Sequence, residues 1–250
     1  MFLRILSIYC IVNLALSHEE KVAVTRRKHL EELQLMECTS WRVSVEANNV
    51  NPWKRIPTGC LIYVKKYLTG KQYFFDLQMV VEQALHYANT VVLLNDGKEV
   101  WIFDIDDTLL SNLPYYAENG YGVDIYDEKK FEKWVEKAAC PSIGPALLLY
   151  KEVLRLGFKV VLVTGRSERH RAVTEGNLIS AGFLKWHKLV LRDPIYHRKW
   201  SAVYKSEKRA EMASDGYRII GNCGDQWSDL LGSAMSVRSF KFPNPMYYIP

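Results

Sequence analysis

Between residues 100 and 220 the chain repeats one pattern, a short apolar β-rich run followed by a helical stretch. The runs are Val100-Trp101-Ile102-Phe103, Lys159-Val160-Val161-Leu162-Val163, Leu189-Val190-Leu191 and Arg218-Ile219-Ile220; the helical stretches are 145–156, 168–181 and 201–213. Strands that alternate with helices need crossover connections, and a parallel sheet covered by helices on both faces satisfies them. The near-continuous apolar character of the runs agrees, because such strands are buried on both sides. Ligands of open α/β sheets bind beyond the carboxyl ends of the strands. Three of the four runs end there in a polar cluster: Asp104-Ile105-Asp106-Asp107-Thr108, Thr164-Gly165-Arg166, and Gly221-Asn222-Cys223-Gly224-Asp225.

In extended chain, Asp104 and Asp106 point to the same side. Two carboxylates facing one pocket repel unless a cation is present or one is protonated. Phosphoryl transfer uses both solutions: one carboxylate attacks phosphorus beside a metal ion, and the other carries a proton to the leaving oxygen. Thr164 offers a hydroxyl and Gly165 lets backbone approach a ligand closely, which suits phosphate oxygens; a helix N-cap is the competing reading of Thr164. Lys205, on or before the helix at 201–213, can neutralise phosphate charge. Asp225 and Asp229, four apart in Gly224-Asp225-Gln226-Trp227-Ser228-Asp229, offer hard oxygen ligands of the kind Mg²⁺ takes.

The order of these four clusters resembles the four motifs of the haloacid dehalogenase superfamily. Three further stretches, Ser111-Asn112-Leu113-Pro114-Tyr115-Tyr116, residues 221–232, and Phe242-Pro243-Asn244-Pro245-Met246-Tyr247-Tyr248, are similar to plant acid phosphatases of class B type and to vegetative storage proteins. The resemblance covers residues 38–250. It implies a Rossmann-like α/β fold with a helical N-terminal region and a small cap inserted at about 109–142. It also implies a phosphomonoester hydrolase that works through an aspartyl phosphate. Asp104 matches the nucleophile and Asp106 the acid that protonates the leaving alcohol and later activates water. Thr164, Gly165 and Lys205 match the phosphate-binding groups, with Lys208 as the rival for the lysine role. Asp104, Asp225 and the backbone carbonyl of Asp106 match the Mg²⁺ ligands, and Asp229 and Thr108 stand behind them. With Mg²⁺ holding Asp104 ionised, the Asp106 carboxyl is expected to titrate above that of Asp104. Vegetative storage proteins can keep the fold while losing the nucleophile, so storage with residual activity is the main alternative; Asp at position 104 favours the enzyme.

The first residues run Met-Phe-Leu-Arg, then apolar from Ile5 to Leu16, then Ser17 before His18-Glu19-Glu20, the order of a secretory signal peptide. An apolar run of about 12 residues is short of the roughly 20 that span a membrane, and no later run is longer. Residues 1–17 are therefore expected to be cleaved, 18–37 to form a flexible leader, and the product to enter the secretory pathway for the cell exterior or vacuole. Of five cysteines, the leader removes Cys10, and an even number remains to form disulfides in an oxidising compartment. Cys38 and Cys60 flank a short helical segment and are the favoured pair, with Cys140 and Cys223 free or joined to each other. A net charge of +5, mixed among acidic residues, is too small to indicate nucleic acid. The expected partners are small phosphomonoesters, and a homodimer is left open.

Overall fold

The computed structural model describes residues 20–250, so the signal-peptide reading of 1–17 lies outside the described residues. The first helix is α1 (Phe2–Glu46), and its described residues 20–37, expected as a loose leader, form an exposed helical stretch. From Cys38 onward α1 packs on the domain. A disulfide joins Cys38 to Cys60 at the start of α2 (Leu61–Thr69), while Cys140 and Cys223 are buried thiols. Arg42 bonds Tyr63 and Asp76 and lies over the Tyr67 ring, fastening α1 to α2 and to α3 (Lys71–Thr90). No helix among the described residues is long and apolar enough to cross a membrane.

Five parallel strands follow, in the order β3-β2-β1-β4-β5: β1 (Glu99–Phe103), β2 (Lys159–Ser167), β3 (Lys188–Arg192), β4 (Arg218–Gly224) and β5 (Arg238–Lys241). Alternate residues of β1 and β2 sort onto opposite faces. Trp101, Phe103, Val160 and Leu162 meet Leu77 and Val81 of α3 and Leu149 and Val153 of α6 (Gly144–Leu156). On the other face Val100, Ile102, Val161 and Val163 meet Met212 of α8 (Ser201–Ser214). This is the expected doubly covered sheet, with β1 at its centre.

Three details differ from the sequence reading. β2 and β4 run past their apolar cores, so Thr164-Gly165 and Gly221–Gly224 belong to strands rather than to following loops. Accordingly, Thr164 is no helix N-cap: a short 3-10 turn (Glu168–His170) intervenes before α7 (Arg171–Ser180). β5 was not foreseen, because in Arg238-Ser239-Phe240-Lys241 only Phe240 is buried.

Between β1 and α6 lie α4 (Leu113–Glu118) and α5 (Glu128–Glu136). Their aromatic residues chiefly pack on one another: Tyr115 contacts Tyr116, Phe131 and Trp134, and Tyr116 stacks on Tyr247 near the C-terminus. A last short helix, α9 (Trp227–Leu230), follows β4.

The register of the central strands depends on a close approach at Gly221. A Cβ there would sit inside the Trp101 indole. That ring is itself fixed by stacking on Phe240 and by donating from Nε1 to Cys223 Sγ at 3.3 Å. Gly221→Ala should therefore displace Trp101 and cost about 1 to 3 kcal/mol, the usual range for overpacking a core, measured by denaturant unfolding. Unchanged stability would contradict the packing described for β1 and β4.

Candidate active site

The carboxyl end of β1 delivers Asp104, whose N–H donates to the Cys223 carbonyl of β4 at 2.9 Å and so holds the residue in line with the sheet. Immediately beyond, the chain turns sharply: Thr108, Leu109 and Leu110 N–H groups all converge on the Ile105 carbonyl, and Asp107 takes a left-handed φ of 53°. This turn folds Thr108 back beneath Asp104. The Thr108 hydroxyl accepts from Asp225 N–H at 3.0 Å and lies 3.2 Å from Asp225 Oδ1 and 3.5 Å from Asp104 Oδ2.

Helix α8 crosses the same point. Lys205 Nζ donates to Asp104 Oδ1 and to Asp229 Oδ1, all three side chains being buried. Lys208 is elsewhere, paired with Glu211 and Tyr196. Asp229 Oδ2 accepts from the Gln226 N–H as part of a capping box at α9. Both Asp229 oxygens are thus engaged by protein donors.

Asp106 is the second carboxylate of the β1 cluster, and a buried guanidinium grips it. Arg166, two residues beyond Thr164, donates to Asp106 from Nε at 3.0 Å and Nη2 at 2.7 Å, and the Asn112 amide adds a bond at 3.0 Å. Thr164 Oγ1 in turn accepts from Arg166 N–H at 3.1 Å. Gly165 is exposed, and a Cβ there would meet nothing within 4 Å, so the backbone at the end of β2 faces open space.

The electrostatics follow from this crowding of Asp104, Asp106, Asp107, Asp225 and Asp229 around Lys205 and Arg166. Burial pushes the Asp104 carboxyl well above the usual carboxylate range, against the pull of Lys205 and with repulsion from Asp229 and Asp225. Burial and Asp229 likewise raise Asp225 to about 6, and burial and Asp225 raise Asp107 to about 7. Burial opposes the Lys205 charge, but Asp104 and Asp229 outweigh it and hold the amine protonated. Asp106 behaves oppositely. Burial works to raise it, but the charge and bonds of Arg166 and the Asn112 amide prevail and hold it below its ordinary value. Without a bound cation the two carboxyls are thus shifted in opposite directions, Asp104 up by burial and Asp106 down by the Arg166 fork; the order expected with Mg²⁺ on Asp104 concerns the metal-bound site.

A divalent metal fits this donor set. Asp104, Asp225 and Asp229 can each bring one carboxylate oxygen within 4.8 Å of the others, all buried. Oxygen-only donors suit a hard cation, and buried carboxylates in excess of basic partners need one. Each of the three also has donors of the protein on its oxygens: Asp229 the Lys205 ammonium and the Gln226 N–H, Asp225 two amides and the Thr108 hydroxyl, Asp104 the Lys205 ammonium and the same hydroxyl. Among the described residues no protein N–H or O–H donates to the Asp106 carbonyl.

The roles of Arg166, Asn112, Asn244 and Tyr247 escaped the sequence reading, although all four lie in stretches that carried the resemblance. Asn112 bonds Asp106 and Asp107 and accepts from Trp134 Nε1 at 2.9 Å. Asn244 bonds Asp225, and Tyr247 bonds Asp107.

Comparison with known proteins shows the family. The family model for HAD superfamily, subfamily IIIB (acid phosphatase) matches residues 23–250. The chain is 57% identical over 214 residues to acid phosphatase 1 of Solanum lycopersicum, covering 86% of this chain and 84% of that one. It is 39% identical over 231 residues to vegetative storage protein 2 of Arabidopsis thaliana, covering 92% and 86%. The class C acid phosphatase from Bacillus anthracis with tungstate bound shares the fold, with a TM-score of 0.60 at 20% identity over 76% of this chain and 86% of that chain. The chain therefore belongs to the acid phosphatase family, subfamily IIIB of the HAD superfamily.

Proposed function

We propose that this phosphatase hydrolyses small phosphomonoesters with Asp104 as nucleophile, Asp106 as general acid and base, and Mg²⁺ as the divalent ion. The observation that carries the reading is the placement of Asp104: at the end of the central strand, bonded to Lys205 and within ligand distance of Asp225. Asp104, Asp225 and the Asp106 carbonyl would hold the ion. When bound, Mg²⁺ supplies charge neutralisation at the phosphoryl oxygens and keeps the nucleophile ionised.

The protein's own groups then divide the work. Lys205, the Thr164 hydroxyl and the open backbone at Gly165 bind the phosphoryl oxygens. An Asp104 oxygen forms a bond to phosphorus as the bond to the leaving oxygen breaks, and Asp106 gives that oxygen its proton. Asp106, now ionised, takes a proton from the water that attacks the aspartyl phosphate, releasing inorganic phosphate and restoring both carboxyls. Arg166 holds Asp106 in one orientation throughout. Residues 109–142 act as a small cap that limits water entry. The leader sequence, together with a disulfide that suits an oxidising compartment, supports passage through the secretory pathway to the vacuole or cell exterior. A full set of partners around Asp104 favours hydrolysis over storage alone, since storage needs no intact site.

Asp106→Ala should slow alkyl phosphates by about 10² to 10⁴, the usual range for general acid catalysis. Nitrophenyl phosphate, whose leaving group needs no proton, should form the phosphoenzyme with a much smaller loss. Equal losses for both substrates in single-turnover measurements would remove Asp106 from the acid role.

The pH dependence has a definite sign. The protonated fraction of Asp106 grows as pH falls, and because Arg166 holds the carboxyl below its ordinary value that growth is confined to acid, where proton donation is favoured. In Arg166→Gln the restraining charge is lost and burial raises the Asp106 carboxyl. The alkaline limb of the kcat–pH profile should then move to higher pH while kcat at the optimum declines. An unmoved limb would show that Asp106 ionisation does not set it.

A further inference from the structure

The last residues of the chain, 242–250, form no helix or strand, yet they reach the centre of the site. Phe242 N–H bonds the Gly224 carbonyl at 2.8 Å, which lays the segment against the end of β4. Asn244, nearly fully buried between Pro243 and Pro245, donates from Nδ2 to Asp225 Oδ2 at 2.6 Å. Gln226 Nε2 donates to the same oxygen at 2.8 Å. The segment sets the orientation of both amides. Met246 N–H donates to Asn244 Oδ1 at 2.9 Å, and Ile249 N–H donates to Gln226 Oε1 at 3.0 Å. A backbone donor at each amide oxygen leaves only the NH₂ groups to face Asp225. Three residues after Asn244, Tyr247 donates its hydroxyl to Asp107 Oδ2 at 2.8 Å while its ring stacks on Tyr116. The segment has little room to shift, because a Cβ on Gly122 would overlap the Met246 carbonyl.

We propose that Asn244 and Tyr247 are positioning residues for the divalent ion, Asn244 through Asp225 and Tyr247 through Asp107 and the adjoining Asp106 carbonyl. This rests on the reading that Asp104, Asp225 and the Asp106 carbonyl hold the ion. Asp225 has two oxygens with separate duties. Oδ2 is anchored by two neutral amides, and Oδ1 is turned toward Thr108. Neutral donors fix the carboxylate without cancelling its charge, whereas a lysine or arginine at position 244 would compete with the cation. Tyr247 does the corresponding service on the opposite side. It braces Asp107, whose left-handed backbone sets the direction of the turn that follows the Asp106 carbonyl. Outer partners of metal ligands typically govern affinity by about 10- to 100-fold, and here both come from the C-terminal segment.

The test is calorimetric titration of Mg²⁺ into the mature chain stripped of metal, for the wild type, Asn244→Ala, Tyr247→Phe and Asp225→Asn. The Asn244→Ala Kd for Mg²⁺ should rise by about 10- to 100-fold. Activity of this variant should recover at saturating Mg²⁺, with the substrate KM little changed. Tyr247→Phe keeps the ring stacking and removes one bond, so it should fold normally and show a smaller rise in Kd. It decides the question if Asn244→Ala does not fold. Asp225→Asn should lose Mg²⁺ binding. An unchanged Kd in Tyr247→Phe and in any folded Asn244→Ala, with binding lost in Asp225→Asn, would overturn the inference and leave the metal site standing. Wild-type affinity in Asp225→Asn would overturn the site reading and the inference with it.

Discussion

The contact on which the rest of the site depends is the Lys205 ammonium held between Asp104 and Asp229. Removing three charged groups from water is costly, and the cost is offset only where geometry is tight and the remaining lone pairs are satisfied. The fold supplies that geometry from three directions. β1 presents Asp104, α8 presents Lys205, and the α9 capping box fixes Asp229. Asn222 and Arg209 secure the Asp229 carbonyl from behind, with bonds of 2.8 Å and 2.6 Å. Gly224 is required here because a Cβ at that position would collide with the Asp229 side chain. A second charged pair, Arg166 with Asp106, balances the other side of the pocket. Between the two pairs Asp225 and Asp104 remain short of positive charge, and that deficit is the physical reason the site takes a divalent cation.

Much of this was legible in the sequence because the strands of a doubly covered sheet are apolar throughout and their ends are not. The step from Phe103 to Asp104, and from Val163 to Thr164, marks where each apolar run gives way to the polar groups of the site. Lys205 was readable only through the resemblance, since a lysine on a helix has no local signal that it will be buried. β5 was not readable, because a four-residue edge strand with one buried side chain leaves no period to detect. The pairing of Asp106 with Arg166 was not readable for a related reason. Spacing places two carboxylates on one side of the chain, but a guanidinium sixty positions later decides which of them carries the proton more readily, and only the fold brings Arg166 to it.

The C-terminal residues show the same dependence on tertiary structure. Asn244 and Tyr247 lie in a proline-containing stretch without helix or strand, and their polar atoms are committed to the carboxylates of the site. The insertion between β1 and α6 is tied to this stretch through Tyr116 and to the pocket through Asn112 and Trp134. A change in the insertion's aromatic packing therefore has a direct route to Asp106 and Asp107, through one asparagine.

In the proposed mechanism Asp104 carries the phosphoryl group during turnover. The direct measurement is acid quench of the working enzyme during hydrolysis, followed by borohydride reduction, which converts an aspartyl phosphate to homoserine, and mass mapping of the peptides. Homoserine is expected at position 104 alone, seen only when substrate is present and absent in Asp104→Asn. Reduction at another aspartate, or turnover by Asp104→Asn with no modified residue, would contradict it.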